Sequence, residues 1–495
     1  MTVAAETGTR RRDHLLRIIQ RVRRPDRAQM EALSQRVPYW FVCVALFAFA
    51  TIQIMLNPFG FSDLTQRYAQ DISNLLVTGP YLYGDAGQKA VSAAIVDEDT
   101  LQTLQMPWPW SYGTHALVLD ALLEYRPKAV VVDFLFVDTR SDSTLPQLVD
   151  EIARFKKAGV PLYFEGGTHL PYGEYPLRPE LAKTGVRILD PTIPVYDGIA
   201  RQYNVTGRCF GPQGRSKGSC YSLALEVFRD TYPQYRLEPL NGMMELVWGT
   251  RTDPHNAKWI TSTDEGGQRK SCNQDIGPLR RFYLAFFDPG AVQNPCPYNA
   301  QIPVVSLIEG SEDPDIADLI RNRVVFYGGS LEGAQDITYT PVNGLLPSVF
   351  VHAMALDNLI TFKGKPEQNV ITVFGTTIPS NPAQMMAIVP VILILALIHM
   401  RRMRRNRARA RIQEHSVTFE YVLDKTIETV WHYFAFALAL GMGLVLALVM
   451  GLSTANWVEV VFVSVELAAM LLVGVPDSLW GYLHHVAGGV AQDPA

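Results

Sequence analysis

The sequence predicts an α/β fold: an extracytoplasmic, doubly wound, mainly parallel sheet domain with a loop-rich insertion, carried on four transmembrane helices, one N-terminal and three C-terminal. Three observations predict it. Apolar runs of strand length alternate with amphipathic helical stretches, over residues 90–136 and again over 302–327. Four longer apolar runs, 39–56, 383–400, 431–452 and 457–475, are each long enough to span a bilayer. Arg-rich blocks precede the first of these runs and follow the second, which sets the sidedness.

Residues 1–37 form a cytoplasmic arm with nine Arg against four acids. Within it, residues 14–22 have the basic amphipathic pattern of a helix lying on anionic lipid, and Pro25 ends it. Residues 38–56 read as a signal anchor rather than a cleaved leader, because the run is long, lacks a small-residue cleavage site and ends in Asn57-Pro58-Phe59-Gly60. Residues 57–382 are then translocated. Ser62 caps an expected stalk helix over 63–76, with Leu64, Tyr68, Ile72 and Leu75 roughly aligned.

The next unit organises the domain. Residues 90–96 are an apolar strand ending in Asp97-Glu98-Asp99. After Trp108-Pro109-Trp110, Ser111 is a plausible N-cap for a helix that buries Ala116, Leu119, Leu122 and Leu123 and stops before Pro127. Residues 129–134 follow as a strand buried on both faces, with Asp133 near its end. A right-handed crossover brings Asp97 and Asp133 out on one edge, where open α/β sheets bind ligands. Two acids there suit a cation, an amine or an acid/base pair; the competing reading is that each caps a local turn.

The alternation continues with a helix over 145–157 and a strand over 160–164, then weakens across about 166–300, an insertion with one convincing helix at 222–229. A strand is expected at 302–308, a helix at 315–321 and a strand at 323–327, ending in Gly328-Gly329. A Gly-Gly turn after a buried strand can offer N–H groups to an anion, although a plain tight turn fits as well and no phosphate-loop pattern accompanies it. Asp336 and His352 follow, the latter opening a helix over 350–360.

Cys209, Cys220, Cys272 and Cys296 lie in the translocated region and Cys43 in the first span. Two disulfides are expected in that compartment, with Cys209–Cys220 and Cys272–Cys296 closing the shortest loops among the three connectivities; a zinc site is the rival, without a CxxC pair to support it.

Residues 401–430 form a cytoplasmic linker with seven Arg, 431–475 a transmembrane hairpin and 476–495 a cytoplasmic tail. The net charge of −4 over 495 residues hides this segregation, and an Arg block beside a span addresses lipid rather than nucleic acid. Ala435, Ala439, Gly443, Ala447 and Gly451 recur every fourth residue, a stripe that lets helices approach closely. Glu459 and Glu466 share a face of the last run; Glu459 can reach water at its external end, whereas Glu466 is deep enough to suggest a helix or partner contact.

Taken together, Val96-Asp97-Glu98-Asp99-Thr100-Leu101, Trp108-Pro109-Trp110, His115-Ala116, Val132-Asp133-Phe134, Asp197-Gly198-Ile199-Ala200-Arg201, Val305-Ser306, residues 324–330, Asp336, Thr340-Pro341 and Val351-His352-Ala353 resemble the CHASE2 domain over about residues 62–362. The resemblance implies an extracytoplasmic sensor of a bacterial inner-membrane receptor, with one span before the sensor and three after it. The family usually adds a cyclase or kinase effector. Here the chain stops shortly after the last span, so a separate protein is expected to carry the output, and the cysteine-bearing insertion is not a family feature.

The candidate ligand-binding residues are therefore Asp97, Trp108, Trp110, His115, Asp133, Gly328, Gly329, Asp336 and His352, with Gly443, Ala447, Gly451 and Glu466 as membrane-interface residues. His115 and His352 could pair with the acids, or be structural. With no nucleophile motif, HExxH or phosphate loop, no catalytic residue, cofactor or metal is expected. The expected partners are the lipid bilayer and a homo-oligomer or a hetero-complex with envelope or signalling proteins. A structural scaffold in an envelope-spanning complex is the alternative to a sensor, and an enzyme the third reading.

Overall fold

A computed structural model describes residues 37–56, 67–68, 70–137, 141–169, 173–175, 177–195, 197–211, 216–238, 242–260, 262–263, 269–270, 272, 276–294, 296–309, 314–331, 336–366, 370–373, 376–410, 434, 436–443, 445, 454–473, 476 and 479. The chain divides into two compact units, Arg67–Asn369 and the remainder.

In Arg67–Asn369 the elements are β1 (Val91–Asp97), α1 (Glu98–Leu104), α2 (Tyr112–Glu124), β2 (Ala129–Val132), α3 (Leu145–Ala158), β3 (Leu162–Glu165), β4 (Arg187–Leu189), α4 (Leu223–Thr231), α5 (Pro278–Phe287), β5 (Ala300–Pro303), α6 (Val304–Ile308), α7 (Pro314–Ile320), β6 (Val324–Ser330) and α8 (Val349–Thr361). The six strands make one parallel sheet in the order β5-β1-β6-β2-β3-β4. The predicted strand–helix–strand unit is present, but β6 lies between its two strands. Tyr327 pairs with Ala94 on one side and Val132 on the other. Sequence order alone could not place a strand that arrives nearly two hundred residues later.

Both faces are covered, as parallel sheets require. One side buries Ala94, Val96, Val130, Val132, Phe164 and Tyr327 against α2, α3, α6 and α7. The other buries Ala93, Ile95, Val131, Tyr163 and Phe326 against α4 and α8. Every residue of α8 from Val349 to Ile360 is buried, so this helix is core on all sides, and at 13 residues it is too short to cross a bilayer.

Several local expectations shift. The strand expected at 302–308 ends at Pro303, whose φ of −62° suits the residue before a helix, and Val304–Ile308 is helical. The expected stalk does not stand free. Its described part is helical before the π-helix Asn74–Leu82, and it is tied into the domain: Arg201 donates from Nε and Nη2 to Asp71 at 2.8 Å, and Gln70 donates to the Arg201 carbonyl and to Glu245. The insertion holds two-stranded ladders, among them Thr206–Phe210 with Ser216–Tyr221, bridged by Cys209–Cys220. Cys272–Cys296 is the second disulfide, so the pairing in sequence order is the one formed.

In the other unit the helices Tyr39–Thr51, Ser380–Ala410 and Thr454–Val473 pack through Val42, Leu46, Ala50, Ile388, Ile392, Val460 and Leu467. Among the described residues one helix, Asn381–Arg404, is long and apolar enough to cross a bilayer; Tyr39–Ile54 is a shorter apolar helix. Most of the expected run 431–452 lies outside the described residues, as do the arm 1–36 and the linker from 411 on.

Candidate ligand site at the carboxyl edge of the sheet

Side-chain alternation builds the site. In β2, Val132 faces the α2 side and Val131 the α8 side, so Asp133, one residue on, returns to the α8 side. In β3, Phe164 and Tyr163 divide the same way and Glu165 falls beside Asp133. His352, on the fourth residue of α8, comes down onto both. The ligating atoms of Asp133, Glu165 and His352 all lie within 4.8 Å of one another, and all three residues are buried.

The surroundings fix these groups but give the two acids no cationic partner among the described residues. The Asp133 N–H donates to the Tyr327 carbonyl at 2.7 Å, which continues the ladder past the strand end. Gly328 leaves room for the Asp133 carboxylate: a Cβ there would lie 3.2 Å from Oδ2 and 3.0 Å from Val349 Cβ. His352 Nδ1 is 2.6 Å from the Tyr203 hydroxyl, which accepts from the Ala224 N–H at 3.3 Å, and Nε2 is 3.8 Å from Glu165 Oε1. Asp133 Oδ2 and Glu165 Oε1 are buried and accept from no N–H or hydroxyl donor, and the two carboxyl groups hydrogen-bond each other.

Burial pushes the Asp133 carboxyl up to about 7 against the lowering effect of its hydrogen bond with Glu165, with the charge of nearby Asp336 adding to the rise. It pushes Glu165 well above the carboxylate range, with Asp133 and Asp336 adding their charges. It also depresses His352 to about 3, so the imidazole is neutral. Asp336 itself is exposed, beyond the end of β6.

The other predicted residues separate from this group. Asp97 is the N-cap of α1, its Oδ1 accepting from the Thr100 N–H at 2.9 Å and from the Thr100 hydroxyl, so the local-cap alternative is the one found. Gly328 and Gly329 lie inside β6 rather than in a turn after it, and pair with Ile95 and Val96. What their missing side chains admit is Asp133, Val349 and the Phe134 ring. His115 lies on the α2 side, Nδ1 2.9 Å from the Tyr327 hydroxyl, among the rings of Trp108, Trp110, Phe134 and Phe136. Trp108 and Trp110 are thus packed around a histidine on the opposite face from His352.

Glu165 and Tyr203 were not anticipated. Glu165 carries the signal of Asp133, an acid closing an apolar strand; Tyr203 sits in the irregular insertion, where no period marks it. A cavity of about 410 Å³ opens beside edge strand β4, lined by Arg187, Arg208, Phe210, Glu226, Arg229 and the Cys209–Cys220 bridge. Its arginines already pair with Asp190, Glu226 and Asp230.

Among the residues expected at a membrane interface, Glu466 accepts from Gln53 Nε2 at 3.4 Å. A Cβ on Gly443 would lie 3.0 Å from the Ala387 carbonyl oxygen. Ala447 and Gly451 lie outside the described residues, and so does the side chain of Glu459.

The family model of the CHASE2 domain matches residues 40–397, and the chain belongs to that family of extracellular sensory domains. No curated protein and no solved structure matches the chain.

Proposed function

We propose that this CHASE2 protein is a bacterial inner-membrane sensor or regulatory subunit. Its extracytoplasmic sheet domain binds a ligand at the Asp133–Glu165–His352 edge, and the resulting change passes through the membrane helices to a separate protein. The observation that supports this is the pair of buried carboxyl groups at the carboxyl ends of adjacent strands, hydrogen-bonded to each other but given no cationic partner among the described residues, where open α/β sheets take their ligands. Such groups cost stability unless something satisfies them, so an occupant that does so favours the conformation in which they converge. A ligand shifts an equilibrium only through such differential affinity.

Hydrogen exchange on the full chain in lipid nanodiscs tests the reading. Asp133→Asn is expected to alter exchange within residues 67–369 and also in the helices 39–56 and 380–404. A change confined to the sheet domain would sink it.

A second reading, a scaffold subunit of an envelope-spanning complex, is favoured by α5. Leu279, Phe282, Tyr283 and Phe287 are 87%, 58%, 60% and 73% exposed on this helix of the insertion, a cluster of large apolar side chains at the surface of the kind that often serves an interaction. If α5 is a docking surface, Leu279→Ser with Phe287→Ser abolishes a stoichiometric envelope complex and leaves the exchange behaviour of the Asp133 edge unchanged. A complex that survives both substitutions removes this reading.

A further inference from the structure

We infer that Asp133, Glu165 and His352 bind one divalent first-row transition-metal ion, of the zinc type. The inference deepens the proposed sensing role of this edge and rests on it.

Geometry carries the argument. An imidazole nitrogen and two carboxylate oxygens converge from three different elements, α8, β2 and β3, each held by the core. Donors on a tetrahedral ion with bonds of about 2.0–2.2 Å stand about 3.4 Å apart. His352 Nε2 and Glu165 Oε1 are 3.8 Å apart, too far for a hydrogen bond and a few tenths of an ångström from that spacing.

Chemistry points the same way. Among the described residues no Lys or Arg pairs with Asp133 or Glu165, although the neighbouring buried acids Asp190 and Glu226 both have arginine partners. The fold supplies counter-charges one strand away and leaves this pair without one. The Tyr203 hydroxyl lies 2.6 Å from Nδ1 and fixes the ring; in the tautomer with the proton on Nδ1 the imidazole donates to Tyr203 and leaves Nε2 free to ligate, the arrangement that orients metal-bound histidines. Gly328 keeps the space at Asp133 Oδ2 clear of a side chain. One nitrogen and few oxygens suit zinc, manganese or iron better than calcium, which takes six to eight oxygens.

The rival occupant is a proton shared by the two carboxyls, and metal content separates the two. Full-length protein in detergent is stripped with a chelator, loaded with Zn²⁺, passed over a desalting column and assayed for zinc; affinity comes from competition with a chromophoric chelator, and Co²⁺ is added as a spectroscopic probe. The expected result is one equivalent retained per chain, with Co²⁺ bands of a nitrogen–oxygen site. Asp133→Asn and His352→Gln should weaken binding by at least about 100-fold, and Tyr203→Phe, which keeps the ring, by about 10–100-fold. Asp97→Asn, at a helix cap, should change nothing. Folded wild-type protein that retains no zinc, or Tyr203→Phe protein that binds as tightly as wild type, would overturn the site; the second holds even if the ligand variants fail to fold. Zinc content involves no signalling readout. Retained zinc without any effect on the membrane helices therefore keeps the ion and removes the sensing role, and a change in those helices without zinc does the reverse.

Discussion

The behaviour of each buried carboxylate in the sheet domain depends on how many donors reach it. For Asp190, burial pushes the carboxyl up, but the N–H and guanidinium of Arg208 and the N–H and hydroxyl of Thr192 outweigh it and hold the group below the usual range. For Asp357 on α8, burial wins. The group is raised to about 7 although Tyr83, Asn299 and Thr361 all donate to it, at 2.6, 2.7 and 3.1 Å. Because the folded-state value lies above the unfolded one, the folded protein holds a proton that the unfolded chain has lost between about pH 4 and pH 7. Stability from this group is therefore fully present below about pH 4, falls as pH rises to about 7 and is flat above, a change of roughly 4 kcal/mol at 1.36 kcal/mol per pKa unit. Urea unfolding of wild type and Asp357→Asn across pH 4–8 reads it as the difference of the two slopes. Parallel slopes would show that the three donors keep Asp357 ionised throughout. Asp133, the acid closing the strand Ala129–Val132, was legible in the sequence because an acid in a short apolar strand stands out. Asp357 did not stand out, because a single acid in a helix is ordinary until every face of the helix is buried.

At the scale of elements, the period of the apolar pattern located most helices and strands of the sheet, including Ser111 as a helix cap, whose Oγ accepts from the Thr114 N–H at 3.1 Å. Pairing order was not legible. Nothing local in residues 324–330 says that they insert between β1 and β2, and this insertion turns Gly328 from a turn residue into the gap that admits Asp133. The insertion was opaque for another reason, since its order comes from cross-links and polar contacts rather than from period. Asn343 Nδ2 donates to the Asn294 and Cys296 carbonyls, and Asn256 Nδ2 to those of Pro297 and Asn299. The disulfides contribute accordingly. Cys209–Cys220 and Cys272–Cys296 close loops with separations of 11 and 24 residues. On the loop-entropy relation each contributes about 3 kcal/mol, with Cys272–Cys296 the larger by about 0.7 kcal/mol. Cys272→Ser with Cys296→Ser should also loosen the polar contacts of Thr252 and Asn294 to the Cys272 carbonyl, so its thermal midpoint should fall further than that of Cys209→Ser with Cys220→Ser. Equal midpoints in non-reducing buffer would show that the second bridge orders nothing beyond its own loop.

For the whole molecule, the membrane unit is the part whose packing can be tested by size alone. Without a hydrophobic drive between helices in lipid, association depends on close approach and on polar contacts. Both are present: Gln384 Nε2 donates to Asn456 Oδ1 at 2.7 Å, Asn381 Nδ2 to the Ile54 carbonyl at 3.1 Å, and Gly443 sits against the backbone of Ala387. The four-residue stripe identified in the sequence contains Gly443 but not Gly441, and the structure separates the two glycines in the same way. A Cβ at 443 would meet the Ala387 carbonyl oxygen at 3.0 Å and Val391 at 3.3 Å, whereas at 441 it would meet no atom within 4 Å. Gly443→Leu must therefore push helix Ser380–Ala410 away, at a cost of about 1–3 kcal/mol for an overpacked contact. Gly441→Leu places its side chain in open space and should leave stability unchanged. Unfolding of the two variants in mixed micelles of rising SDS fraction measures the difference directly. Equal midpoints would mean that the 443 contact does not hold these helices together. A lower midpoint for Gly443→Leu alone would place the load on helix Ser380–Ala410, which holds the one segment among the described residues long and apolar enough to cross a bilayer.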